Sequence, residues 1–188
     1  MKIKKIEKLC KDAKEILRTD VLDDKGKIEK AFLGINNAQY AIGKTFYDFT
    51  NDNFLDLFEV SAKSADKWFE EHEETPLDDP DGEIFADVYP EEITAFPLEL
   101  SINYGGETFS IFRTGMGKDI FVPAAWFGPV DLEDENISFW VRGNVIAIKS
   151  GFYLVGIVHI PIIGISPVMQ QMLRRICDVA DGIERGEK

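Results

Sequence analysis

Apolar residues recur every three or four positions at the start of the chain. Between residues 3 and 18 they follow an i, i+3, i+4 pattern, which is typical of one face of a helix. The sequence therefore predicts an amphipathic helix over 3–18, with these residues on its apolar side: Ile3, Ile6, Leu9, Cys10, Ala13, Ile16 and Leu17. A second helical region is predicted at 53–60 and 64–72, with Ser64 suited to the N-cap position.

The rest of the chain has the short apolar runs and glycine-containing turns of strands. Residues 28–50 predict two or three short strands. After residue 96 the pattern predicts a hairpin around Gly105-Gly106, a further strand in KDIFVP, a short helical turn in AAWFGPV, and three strands separated by Gly143-Asn144 and Ser150-Gly151. The predicted fold is α+β, mainly antiparallel sheet with an amphipathic helix at each end.

The stretch SGFYLVGIVHIPIIGIS, residues 150–166, is almost wholly apolar. A membrane-spanning helix needs about 20 apolar residues, and this stretch is shorter and contains glycine and proline. We therefore predict no membrane span. Both faces of the corresponding strand are apolar, which indicates a central strand covered on both sides. His159 is accordingly interpreted as a hydrogen-bonded core or edge residue, and not as a ligand or a base.

A closing helix is predicted from residue 168 to about 181. Ser166-Pro167 provides a cap and a proline at the first helical position. The apolar stripe of this helix comprises Val168, Met172, Ile176, Val179 and Ile183. The chain is expected to form a single domain over 1–188, or two lobes at 1–72 and 93–188 that are joined by an acidic connector at 73–92.

The acidity of the chain is concentrated in one segment. The net charge is −13, yet residues 70–92 contain 11 of the 34 acidic residues and no Lys or Arg. The remainder has 23 acidic and 21 basic residues, a net charge of −2. This segment, with three of the eight prolines, is interpreted as a solvated connector, and it leaves open that the protein is an acidic DNA mimic.

No motif in the sequence points to a reaction. Two separate cysteines, Cys10 and Cys177, are typical of buried thiols in a reducing cytosol. The two histidines and two cysteines are too few and too far apart for a zinc site, so no metal, cofactor or catalytic residue is assigned. An enzyme is the less favoured interpretation. The basic N-terminus lacks the apolar region of a signal peptide, and we expect a cytoplasmic location.

Basic residues collect on one side of the first predicted helix. At 100° per residue, Lys4, Lys8, Lys11, Lys14 and Arg18 lie opposite the apolar stripe, although Glu7 and Glu15 dilute them. A basic helical face is suited to non-specific contact with a phosphate backbone. The alternative is an ordinary solvated helix surface.

The sequence also resembles proteins of phages. KKIEKLCKDAK, LDLFEV and SGFYLVGIVHIPI, in this order, resemble a set of uncharacterised proteins encoded in phages and prophages of Gram-positive gut bacteria. The resemblance spans most of the chain and departs at residues 38–47, where AQYAIGKTFY replaces a proline-rich strand end. It implies a prophage context and no reaction.

Four stretches, IFVPAAWFGPV, ISFWV, VIAIKSG and FYLVGIVHIPI, resemble in order a late sheet of DNA sliding clamps. The closing helix and the acidic segment have no counterpart in the simplest clamp repeat, and 188 residues are not an obvious one or two clamp domains. The resemblance implies that basic helices face DNA, that the chain contacts a replication protein and that it forms a homo-oligomer. The implied DNA contacts are Lys4, Lys8, Lys11, Lys14 and Arg18, with Arg174 and Arg175 as additions.

The leading hypothesis is therefore a non-enzymatic, phage-derived protein of clamp-like architecture that binds the DNA backbone or a replication partner. The alternative is a protein–protein interaction module for phage assembly or host takeover. In that case we expect exposed aromatic residues to make the contacts, and the candidates are Trp68, Trp126 and Trp140.

Overall fold

A computed structural model describes residues 2–70, 83–161 and 167–184 of the chain. The described residues form an antiparallel sheet of nine strands with four α-helices, which confirms the predicted α+β class. In chain order the elements are α1 (Ile3–Ala13), β1 (Leu17–Leu22), β2 (Ile28–Ile35), β3 (Ala38–Ala41), α2 (Asn51–Leu57), α3 (Ala62–Glu70), β4 (Ile93–Tyr104), β5 (Glu107–Thr114), β6 (Asp119–Pro123), β7 (Ile137–Arg142), β8 (Val145–Ser150), β9 (Tyr153–His159) and α4 (Pro167–Glu184).

The strands lie in the order β1-β2-β3-β9-β8-β7-β4-β5-β6. Most neighbouring strands are consecutive in the chain and form hairpins, but two pairs of strands come from distant parts of the chain. β3 pairs with β9, where Ala38 lies opposite Val158, and β4 pairs with β7, where Ala95 lies opposite Phe139. Strands from before and after the acidic segment therefore belong to one continuous sheet. Residues 71–82, which hold the first half of the predicted connector, lie outside the described part of the chain.

The front face of the sheet, defined by Leu33, Ile146 and Phe112, carries the main hydrophobic core. The helices α1, α2 and α3 and a 3-10 turn at Ala124–Phe127 cover it. Side chains that form this core from the helical layer include Ile6, Leu9, Phe54, Phe58 and Trp68. Burial of these apolar side chains fixes the helices to the sheet.

Side chains along each strand point alternately to the front face and to the back face, which is defined by Phe32, Ala147 and Arg113. Residues 83–92, which we call the arm, cover its centre, where the Phe85 ring lies 4.9 Å from the Phe32 ring. Phe85 is buried with five strand residues: Phe32, Val145, Ala147, Leu154 and Ile157. The prediction of a solvated connector is therefore wrong for the arm, because apolar side chains anchor it to the sheet.

Helix α4 lies on the back face at the β4-β5-β6 end. Phe112 points into the front core, so its neighbour Arg113 points to the back, where it donates to Asp178 of α4 at 3.0 Å. The buried side chains of α4 are Leu173 and Cys177. Within the predicted apolar stripe, Met172, Ile176 and Val179 are exposed, so the stripe is not the side of α4 that packs on the sheet; for Val168 and Ile183 only the backbone is described.

The first helix is shorter than the sequence predicts. It ends at Ala13, and Lys14 has a left-handed backbone (φ 55°) whose N–H bonds to the Cys10 and Lys11 carbonyls. Residues 17–22 form β1 instead, because their alternating pattern pairs with β2. Farther along, a 3-10 turn at Lys44–Phe46 replaces the third short strand. Ser64 lies inside α3, and Ser61 accepts its N–H as the cap.

The later predictions agree with the structure. The Gly105-Gly106 hairpin joins β4 to β5, and β7, β8 and β9 follow the predicted turns. Helix α4 begins at the predicted Pro167, although the proposed cap at Ser166 lies outside the described residues. No helix in the described ranges is long and apolar enough to cross a bilayer.

Candidate interaction surfaces

Three of the lysines of α1 line a cleft that they share with an equal number of acidic residues. Lys4 and Lys8 are exposed, whereas Lys11 is half-buried and pairs with Glu7 at 2.8 Å. A cleft of about 540 Å³ between α1 and the end of α2 is lined by Lys4, Glu7, Lys8, Lys11, Asp12, Leu57 and Glu59. Three lysines and three carboxylates share it, so the positive potential expected of a DNA-facing groove is weakened.

The remaining predicted DNA contacts do not extend this surface. Lys14 is exposed at the end of α1, but Arg18 belongs to β1 and not to the helix. Its guanidinium donates to the Tyr47 carbonyl and pairs with Asp20 at 2.7 Å. The helical placement of Arg18 is therefore wrong, and its side chain holds the loop after β3 against the sheet.

Arg174 and Arg175 lie on α4, at the opposite end and on the opposite face of the sheet from α1. Arg174 donates to the Gly117 carbonyl at 3.2 Å, and Arg175 is exposed. The fold therefore separates these two arginines from the lysines of α1. One straight duplex cannot contact both groups on a single chain through one face.

The three tryptophans are packed and do not form an exposed surface. Trp68 is 8% exposed in the front core. Trp126 and Trp140 are half-buried, and Trp140 donates to the Ser138 hydroxyl while the Lys149 ammonium lies 5.1 Å from its ring. Their prediction as exposed contact residues is wrong, because tryptophan has the largest apolar area to bury.

Exposed apolar residues occur instead on α4. Met172, Ile176 and Val179, which we call the outer stripe, are 57%, 52% and 62% exposed. Their i, i+4, i+7 spacing places them on one side of the helix, beside the exposed Arg175. Leu173 and Cys177, about a third of a turn away around the helix, are buried and attach it to the sheet. The sequence pattern identified the stripe, but it could not show which of two apolar sides is buried.

A second exposed apolar group lies at the turn between β8 and β9. Phe152 and Tyr153, which we call the aromatic tip, are 89% and 70% exposed. Gly151, with φ +59°, makes the tight turn and donates its N–H to the Asn136 carbonyl at 3.1 Å. This bond ties the aromatic tip to the exposed residues 131–136, which we call the acidic loop. The sequence analysis did not identify the aromatic tip. The available signal was an aromatic residue directly after the turn glycine, because a side chain in so short a turn cannot pack on a face of the sheet.

The strongest charge cluster is structural. Arg142, only 1% exposed, donates to Glu92 at 2.9 Å and to the carbonyls of Ile84, Ala86 and Asp87 in the arm. Lys149 donates to the same Glu92 carboxylate. Each nitrogen of the Arg142 guanidinium and the Lys149 ammonium donates to a protein acceptor, so the cluster fastens the arm to the sheet.

The two cysteines and His159 are buried or half-buried. Both cysteines are buried, as predicted, and burial raises the pKa of each thiol, with nearby carboxylates adding to the effect. His159 ends β9, half-buried, and desolvation lowers its pKa. Within the described ranges no three His, Cys, Asp or Glu side chains converge as metal ligands would.

Comparison of the chain with protein-family models, with curated proteins and with solved structures gives no match.

Proposed function

We propose that this protein is a protein–protein interaction module and that the outer stripe of α4 is its binding surface. The observation that carries the proposal is the exposure of Met172, Ile176 and Val179 on a helix whose other apolar side is already buried. Three apolar anchors at i, i+4 and i+7 are the pattern by which a helix binds a hydrophobic groove. A prophage context, implied by the sequence resemblance, suits a factor for phage assembly or host takeover.

The partner is a different protein whose apolar groove has a carboxylate at its rim. Arg175 is exposed directly beside the outer stripe and would pair with such a carboxylate. A second copy of this chain is a poorer occupant. The stripe is centred between residues 175 and 176, so two antiparallel α4 helices would bring both Arg175 side chains together.

Site-specific photocrosslinking tests this surface in cells. A photoreactive amino acid at Met172 is expected to yield one discrete adduct, and the same group at the exposed Gln171 is not. The partner identified from the adduct is then purified and its affinity is measured by calorimetry. Ile176→Asp should weaken binding at least about tenfold, because a buried anchor becomes charged. Arg175→Glu should weaken it less, and Gln171→Glu is the matched control.

Two outcomes contradict the proposal. In one, the purified partner binds the Ile176→Asp variant as tightly as the original protein, which removes the role of the stripe. In the other, light scattering shows a dimer that Ile176→Asp dissociates, which identifies a second copy as the occupant. The alternative hypothesis of an acidic DNA mimic depends mostly on residues outside the described ranges.

DNA-backbone binding is a second candidate function, favoured by the exposure of Lys4, Lys8 and Lys14 along α1. Charge reversal at Lys4, Lys8 and Lys11 should weaken DNA binding and flatten its salt dependence. Reversal of Lys25, Lys27 and Lys63 is the control for net charge. Unchanged DNA affinity in the α1 variant removes this role. A clamp-like ring additionally requires a closed oligomer in solution, since one chain of this size cannot encircle a duplex.

A further inference from the structure

The aromatic tip is an exposed apolar surface that is separate from the outer stripe of α4. Phe152 and Tyr153 have the first and fourth highest exposures among the large apolar residues described, at 89% and 70%. The tip is held rigidly, because Ser150 pairs with Tyr153 in the hairpin and with Ile137 on the neighbouring strand. Two exposed rings on a fixed turn lose little entropy on binding, which favours a role in recognition.

The acidic loop is joined to the turn that carries these rings by the bond from the Gly151 N–H to the Asn136 carbonyl. All six of its residues are exposed, and four are carboxylates: Asp131, Glu133, Asp134 and Glu135. Leu132, at 41% exposure, adds apolar area between the charges. The connection to the tip is short, since the Gly151 N–H bonds to Asn136 and β7 begins at the next residue.

The four carboxylates of this loop are far from any basic residue along the chain. The sequence contains no Lys or Arg between residues 119 and 141. No ion pair involves the four carboxylates within the described part of the chain. Hydrogen bonds from the backbone and side chain of Asn136 lower the pKa of Asp134, so this group stays ionised.

We infer that the aromatic tip and the acidic loop together form a docking surface for a Lys- or Arg-rich segment of a partner protein. Charge complementarity determines this choice of occupant, because four uncompensated carboxylates favour cationic side chains. The rings add a second preference, since guanidinium and ammonium groups stack favourably on exposed Phe and Tyr. The surface is distinct from the outer stripe of α4 and does not depend on the function proposed for it.

An NMR titration of the isotopically labelled protein with a deca-arginine peptide tests the inference. Amide shifts are expected at residues 131–136 and 150–154, with the affinity falling as salt screens the charges. The triple variant Asp131→Asn, Glu133→Gln, Glu135→Gln should weaken binding about tenfold. Phe152→Ser, which keeps every charge, should weaken it about threefold.

A protein of net charge −13 attracts any polycation, so the control must have the same total charge as the variant. Asp24→Asn, Asp48→Asn, Asp56→Asn neutralises three exposed carboxylates elsewhere and should leave the affinity within about twofold. The inference is overturned if this control loses as much affinity as the loop variant. Shifts confined to other acidic segments, or an unchanged affinity of Phe152→Ser, overturn it as well.

Discussion

Arg142 and Glu92 form an ion pair on the back face of the sheet, in which the guanidinium Nε lies 2.9 Å from the carboxylate. The Arg142 side chain is fully buried. The same guanidinium donates to three carbonyls of the arm. A buried charge of this kind is stabilising only while all its partners are present. The pair therefore determines whether the arm stays on the sheet.

Arg142→Leu should lower the free energy of unfolding by about 3–5 kcal/mol, because Glu92 and the arm carbonyls lose their donor. Chemical denaturation measures this change. Arg175→Gln, which removes an exposed arginine, should stay within about 0.5 kcal/mol of the original protein. A loss for Arg142→Leu that is no larger than for Arg175→Gln would contradict the structural role of the pair.

Asp87 gives the arm a dependence on pH. Burial acts to raise the pKa of its carboxyl, but hydrogen bonds from Lys30 and the Leu154 N–H, together with the nearby positive charges, hold the pKa below its usual value. The ionised form is thus favoured in the folded state. This stabilisation is present above the ordinary Asp pKa of about 3.9 and is lost as the pH falls through the lower folded value.

Asp87→Asn should therefore destabilise the protein by about 1 kcal/mol at neutral pH. The difference from the original protein should shrink as the pH falls below about 3.9, where the native carboxyl becomes protonated. Denaturation midpoints measured across this range test the sign. A difference that stays constant down to about pH 2 would mean that the charge of Asp87 contributes nothing.

Mutations on the two apolar sides of α4 should change the stability of the protein by different amounts. Leu173→Ala should cost about 2–3 kcal/mol, because Leu173 is 9% exposed and packs on the sheet. Ile176→Ala, at 52% exposure, should change the stability by less than about 0.5 kcal/mol. Equal losses of stability at both positions would show that Ile176 also packs on the sheet, and the outer stripe would then be buried.

Gln39 is fully buried on β3, and neither its amide nitrogen nor its amide oxygen has a hydrogen-bond partner in the described structure. An unpaired buried amide costs the free energy of its lost hydration. Gln39→Leu should accordingly raise the stability by about 1–2 kcal/mol, and Gln39→Glu should lower it. Thermal unfolding measures both variants, and a loss of stability in Gln39→Leu would indicate a partner for the amide.

Local patterns predicted most individual elements but not their arrangement. The apolar stripe of α1 and the glycine turns of β4–β5 and β7–β9 act between near neighbours, so the sequence shows them directly. The arm is different, because Phe85 and Asp87 are attached by Phe32, Lys30 and Arg142, which are far away in the chain. The arm is acidic and contains proline, so its composition is that of a linker, and composition alone does not reveal these contacts.

The candidate surfaces were predictable only in part. The sequence revealed the lysines of α1 and the apolar stripe of α4 as periodic patterns. It could not show that Leu173 and Cys177 take the buried side of α4, since both sides are apolar. Nor could it show that the acidic loop is joined to the β8–β9 turn, because the bond between Gly151 and Asn136 depends on the pairing of β7 with β8.

The pairing of β3 with β9 has a consequence for synthesis on the ribosome. The hairpin of β2 and β3 is made early, whereas β9 is among the last strands to be translated. Until then the edge formed by Ala38–Ala41 has no neighbour, and unpaired edges of this kind promote aggregation of nascent chains. The non-local closure should also make folding slow for a chain of this size. We therefore expect slow translation of the last third of the chain to lower the yield of folded protein.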